Sequence, residues 1–185
     1  DDTILLVHFE DNSYADSSIY GCAGSGSPTY DSDNPKFGSG CARAYDGILY
    51  NFTRAGWKLG DTDFTIDFWA RVPGGWNISS SMGFIWGLTG NWGGYFESRS
   101  SYGNLYFYGY NKYNNQTTDY YLCAAPTDSN WHHLAYVWHK DTTYMQFFLD
   151  GKCMNAFFPC DFNHYESNLL DRMYFGAHYE GYYTR

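Results

Sequence analysis

The sequence predicts an all-β fold, a sandwich or a barrel, on three observations. Strand-length apolar runs recur about every 8–12 residues with turn signals between them. Helix formers are scarce: Glu10, Glu97, Glu166 and Glu180 are its glutamates, against 20 Gly and 20 Tyr. Aromatic residues make up 22% of the 185, enough to fill a large core.

The elements follow in order. Ile4–Phe9 is a continuous apolar run with one His, which predicts a strand buried on both faces. Asp11–Ser27 is rich in Asp, Ser and Gly and predicts loop. Cys41–Tyr45 and Ile48–Phe52 flank Asp46-Gly47, a two-residue hairpin signal. Asp63–Val72 alternates most cleanly. Phe64, Ile66, Phe68, Ala70 and Val72 share one face, and Asp63, Thr65, Asp67, Trp69 and Arg71 the other. Phe84–Leu88, Tyr95–Arg99, Leu105–Tyr110 and Asp119–Ala125 follow as strands, the last ended by Pro126. His133–His139 and Tyr144–Asp150 pair across a polar turn, Asp150-Gly151 turns the chain into Lys152–Phe158, and Met173–His178 is the last strand. Asp161–Leu170 is the one stretch that suits a helical turn. With no internal repeat or low-complexity linker, residues 1–185 read as one domain.

A net charge of −9 leaves no basic stripe for a nucleic-acid backbone or an anionic membrane surface. No apolar run approaches the ~18 residues of a spanning helix. The chain opens at Asp1 without an apolar leader, which reads as a processed or excised boundary.

Five segments carry a resemblance: "ILLVHFEDNSYADSSIYG", "PTYDSDNPKFGSGCARAYDG", "DFTIDFWARV", "WHHLAYVWHKDTTYMQFFLDGK" and "RMYFGAHY". In that order and at those distances they resemble the laminin-G-like, concanavalin A-like jelly-roll superfamily over nearly the whole chain. The resemblance implies two curved antiparallel sheets packed face to face. Phe64, Ile66 and Phe68 then point between the sheets, with Leu134, Tyr136 and Trp138 or the alternate Ala135 and Val137, and with Met145, Phe147 and Leu149. The fold hosts lectins, glucanases, adhesion modules and virion fibre domains, so function has to come from the site. The family pattern also implies one more strand after Met173–His178, returning beside the first. Nothing after Tyr179 matches it. The expectation is a domain cut from a longer surface or fibre protein, or one whose missing strand a neighbouring subunit supplies.

Glucanases of this fold carry paired carboxylates two residues apart on one strand face, about 5 Å from each other. None of the four glutamates sits in such a pattern, and Asp63 and Asp67 are four apart. No Ser nucleophile elbow or His-Glu-x-x-His motif is present. Adjacent His132 and His133 point to opposite faces of a strand and cannot share a metal from there. The sequence reads as no enzyme.

A binding module fits better. Sugars take flat aromatic faces for their C–H surfaces and amides or carboxylates for their hydroxyls. Residues 87–116 hold Asn91, Trp92, Tyr95, Tyr102, Tyr106, Tyr108, Tyr110, Asn111 and Tyr113, with Tyr106, Tyr108 and Tyr110 on one strand face; Trp92 and Trp76 lie in Gly-flanked turns, and Trp76, Asn91, Trp92, Tyr95, Tyr106, Tyr108 and Tyr110 are singled out. These seven are the candidate glycan contacts. A half-buried sheet face or a protein contact is the competing reading of the Tyr stripe. The function predicted is non-catalytic glycan binding by an extracellular, cell-surface or virion-surface module. The alternative is a structural or adhesion module for protein–protein assembly, as in a fibre or filament. No cofactor is certain; calcium is the candidate ion, with hard oxygens at Asp11 and Asp16, with Asn12, or at Asp31, Asp33 and Asn34.

Five cysteines suit an oxidising compartment with one thiol left over. The expected bridges are Cys22–Cys41 and, with a reversal near Pro159, Cys153–Cys160; Cys123 is left free and buried. Virion assembly in a reducing cytoplasm would keep every thiol free.

Overall fold

The computed structural model describes residues 3–10, 13–43, 47–51, 62–72, 76, 83–89, 94–111, 116–159 and 172–176; at 51, 83–85, 88–89, 94–99, 110–111, 116, 118 and 155–159 the description is of the backbone. Among these residues the chain is all-β. Its strands are β1 (Ala23–Gly26), β2 (Thr29–Asp31), β3 (Cys41–Arg43), β4 (Ile48–Asn51), β5 (Phe64–Ala70), β6 (Gly83–Thr89), β7 (Gly94–Ser101), β8 (Asn104–Asn111), β9 (Gln116–Ala124), β10 (His132–His139), β11 (Tyr144–Leu149), β12 (Lys152–Pro159) and β13 (Arg172–Phe175). They form a seven-stranded sheet, β1-β4-β13-β6-β7-β8-β9, a four-stranded sheet, β12-β11-β10-β5, and a small β2-β3 pair. Every pairing is antiparallel.

The two large sheets pack face to face because their strands alternate. On β10, Leu134, Tyr136 and Trp138 are fully buried; on β8, Leu105 and Phe107 are. The rings interlock across the gap. Trp86 meets Tyr136 edge-on at 4.9 Å, and Tyr136 lies 4.9 Å from Phe147. Phe64, Ile66 and Phe68 pack against this cluster from β5, while Thr65, Asp67 and Trp69 are exposed. The inward phase predicted for β5 and β11 is the one observed, and of the two phases open for β10 the one inside is Leu134, Tyr136 and Trp138.

Three expectations change. Ile4–Phe9 forms no strand. Its backbone is bound instead by the following loop: Leu6 donates to Asp16 Oδ1 at 2.9 Å, Ser17 N donates to the Leu6 carbonyl, and Ser18 Oγ to that of Ile4. An apolar run tied to a loop in this way has no ladder to join. Second, the strands flanking Asp46-Gly47 do not pair with each other. β3 pairs with β2, and β4 lies between β1 and β13. Ile48 and Tyr50 are fully buried, and a sheet interior buries such a strand where a lone hairpin would not. Third, β1 lies within a stretch that reads as loop. Gly24 makes that strand fit, since a Cβ there would sit 2.9 Å from the Tyr14 ring and 3.0 Å from Tyr50. Residues 161–170 and 177–185, where a helical turn and the end of the last strand are expected, lie outside the described residues.

Candidate functional site

The outward face of the seven-stranded sheet gathers tyrosines. Leu105 and Phe107 fill the core, so Tyr106 and Tyr108 project the other way and are half-buried. On β9, Tyr121 stands directly opposite Tyr106 and is 51% exposed. The two rings meet edge-on at 6.0 Å. Tyr108 faces Asp119, which is exposed. A β-bulge makes this pairing. Leu105 pairs with Cys123 but Tyr106 pairs with Tyr121, so Leu122 is the extra residue. Leu122 and Cys123 are both buried, and the bulge restores Tyr121 to the outward side. Beyond the strand end, Tyr102 in the β7–β8 turn is 74% exposed.

Of the predicted contacts, Tyr106 and Tyr108 come together here. Tyr110 lies farther along β8, where its backbone pairs with that of Tyr95 on β7. Asn91 and Trp92 lie outside the described residues. Trp76 is a correction: it is 1% exposed, inside the core, and is no sugar platform. Its N–H donates to the Pro126 carbonyl at 3.0 Å, and its own carbonyl accepts from the buried Ser100 hydroxyl at 2.6 Å. Those bonds satisfy a backbone that flanking glycines suggested was solvated. Tyr121 and Asp119 were missed. Tyr121 and Asp119 share the outward phase of a readable strand, which is the signal that could have found them.

Asp16 is also corrected as a calcium ligand. Its two oxygens accept from the N–H groups of Leu6, Ser18 and Cys22 and from Ser18 Oγ, at 2.6 to 2.9 Å. Donors occupy the lone pairs a cation would need. Burial opposes its ionisation, but the donated hydrogen bonds outweigh burial and hold the carboxyl below the usual range. Asp11 and Asn12 lie outside the described residues. Asp31 accepts from Arg43 and from Asp33 N. Among the described residues no group of three His, Cys, Asp or Glu is placed to hold a metal ion.

Among the described residues the expected bridges are not formed. Cys22, Cys41, Cys123 and Cys153 are free thiols, with Cys123 buried as predicted. Cys22 precedes β1 and its Sγ donates to the Ile4 carbonyl; Cys41 begins β3 and donates to that of Asp31. Cys153 stands at the start of β12, and Cys160, its expected partner, lies outside the described residues. Burial pushes the Cys123 thiol up to about 11, and burial together with Asp16 does the same to Cys22. Both stay protonated and unreactive at neutral pH.

The outward face of the four-stranded sheet holds a different cluster. Trp69 is 38% exposed, and the Lys36 ammonium lies 3.7 Å from its ring centre. Phe37 meets it edge-on at 5.9 Å, and His133 lies 5.2 Å away. His133 Nε2 is 3.0 Å from Asp67 Oδ2. At the end of β10, His132 bridges two carboxylates, with Nδ1 2.8 Å from Asp150 Oδ2 and Nε2 3.0 Å from Asp128 Oδ1. Burial disfavours its charge, but the two carboxylates outweigh burial and raise its pKa above the ordinary value.

No family model matches this chain, and no curated protein does. Its likenesses are to solved structures. The binding domain of botulinum neurotoxin serotype G superposes with a TM-score of 0.70 at 12% identity, covering 94% of this chain and 43% of that one. The binding domain of botulinum neurotoxin DC in complex with rat synaptotagmin II gives 0.68 at 16%, covering 93% and 43%. A structure of botulinum neurotoxin type C, whose access to cells depends upon interaction with two ganglioside molecules, gives 0.66 at 16%, covering 93% and 42%. The chain spans less than half the length of each. At these identities the likeness shows the fold: this is a β-rich architecture shared with toxin binding domains.

Proposed function

We propose that the chain is a non-catalytic recognition module, one laminin-G-like jelly-roll domain displayed outside the cell or on a virion, that binds neutral glycans. The observation that carries this reading is the Tyr106–Tyr121 pair on the outward sheet face, with Tyr108 in line and Asp119 beside it. Phenol rings at a surface offer flat apolar faces to the C–H surface of a pyranose and hydroxyls to its rim. Asp119 adds acceptor oxygens for sugar hydroxyls. The net charge of −9 disfavours sialylated or sulfated chains and leaves neutral ones. Binding domains of the same fold in neurotoxins that engage gangliosides or a protein receptor support a recognition role.

A glycan array carrying neutral and sialylated chains tests it. Signal is expected on neutral chains and should be competed by soluble sugar. Protein binding that soluble sugar leaves untouched would instead establish the assembly-module alternative.

A further inference from the structure

The turn beside the tyrosine face holds a residue that its own geometry disfavours. β7 and β8 are joined by Tyr102-Gly103, with φ of 49° and 74°. Two successive left-handed residues make the mirror-image hairpin turn that Asn-Gly or Asp-Gly fills most easily. The β11–β12 hairpin shows the same pattern, 51° and 76°, and fills it with Asp150-Gly151. A tyrosine lacks the short polar side chain that makes the left-handed region tolerable. Its ring is 74% exposed, so burial offsets little of the strain. Among the described residues, Phe9, Thr143 and Asp150 are the other non-glycines with positive φ. Phe9 and Thr143 are half-buried, and Asp is a favoured occupant. Tyr102 alone of the four is aromatic, strained and largely in solvent. The tip is also held in place: Asn104 Nδ2 donates to the Tyr102 carbonyl at 3.2 Å, and Ala125 N to that of Gly103 at 2.9 Å.

We infer that Tyr102 is a ligand contact, so that the binding site runs from the sheet face onto this hairpin tip and takes an oligosaccharide instead of a single sugar. The inference rests on the glycan reading above. Strained, exposed side chains of this kind recur at ligand clamps. Along the chain Tyr102 is four residues from Tyr106, at most about 13 Å at ~3.3 Å per residue. A ligand longer than one sugar suits that span.

The experiment compares wild type, Tyr102→Asn and the Tyr106→Ala/Tyr121→Ala double variant. The probes are a thermal melt and an array printed with neutral saccharides from one residue upward. Tyr102→Asn should raise Tm by about 2–4 °C, because Asn suits the turn. It should also lose about tenfold in affinity for the longer saccharides while keeping any monosaccharide signal. The double variant should lose both. Wild-type affinity of Tyr102→Asn for long saccharides would overturn the inference, as would a melt no higher than wild type. A wild-type protein silent on every saccharide would sink the glycan reading itself, and the inference with it.

Discussion

The two outward faces of the sandwich both carry aromatic rings, and they differ in what covers those rings. On the seven-stranded sheet, Tyr106 and Tyr121 contact each other edge-on, and Tyr121 stays half in water. On the four-stranded sheet, Trp69 is covered by the chain's own groups, with Lys36 over its ring, Phe37 at its side and His133 against it. An indole with an ammonium 3.7 Å from its centre has already spent that face on an internal cation. Aromatic exposure by itself therefore does not define a binding site; a ring already stacked against a cation is a poorer candidate. The Trp69 cluster is therefore read as structural, and the proposed glycan contacts are assigned to the tyrosine face.

The comparison rests on which side of each strand faces the core, so the largest expected effect tests that assignment. Phe68→Ala should cost about 3 kcal/mol, the lower end for a partly buried Phe packed on Phe175. Thr65→Ala, on the exposed phase of the same strand, should stay within about 0.5 kcal/mol. Equal losses in a urea melt would break the assignment. Next comes an exchange of roles. Trp69→Ala should lower stability by about 1–2 kcal/mol and leave glycan affinity as it was. Tyr106→Ala/Tyr121→Ala should reduce affinity about tenfold or more with a Tm within a few degrees of wild type. If Trp69→Ala weakens binding as much as the tyrosine double variant, the contrast between the faces is wrong.

The third prediction sharpens the structural side. His132 has a folded pKa raised above its unfolded value of about 6.5. Its contribution is complete below that value and is lost as pH rises through the folded pKa. Asp128 and Asp150 have lowered folded pKa values, the first held down by Asn130 N and then His132, the second by His132 and His133 N against the pull of burial. Their contributions are present above about 3.9 and are lost as pH falls below it. Stability should therefore be highest between those limits. His132→Gln should flatten the alkaline side of a Tm–pH profile, and an unchanged slope would remove the bridged imidazolium from the account. The smallest effect belongs to Lys36. Lys36→Met should cost about 0.5–1 kcal/mol, the worth of an exposed cation–π contact. No change would mean that the ammonium does not seal Trp69.

Much of the fold is legible in order along the chain. Period-two alternation in β5 places Phe68 inward and in β8 sets Phe107 opposite the tyrosines, because successive side chains on a strand point to opposite sides whatever lies around them; in β10 it leaves two phases, and packing chose Tyr136. The same local rule predicts the Tyr106–Tyr108 stripe, and Asp150-Gly151 announces its turn through left-handed φ alone. What the tertiary structure decided depends on groups distant in sequence. Tyr121 joins Tyr106 only because Leu122 bulges out of register, and register is a property of two strands. Trp76, flanked by glycines, is buried because Ser100 and Pro126 arrive to bond its backbone. Asp16 binds four donors instead of a cation because Leu6, Ser18 and Cys22 converge on it. Trp69 is covered because the chain brings Lys36 and Phe37 across β5. Which way a side chain points is set by its immediate neighbours in sequence; what waits for it there is set by the packing of the whole chain.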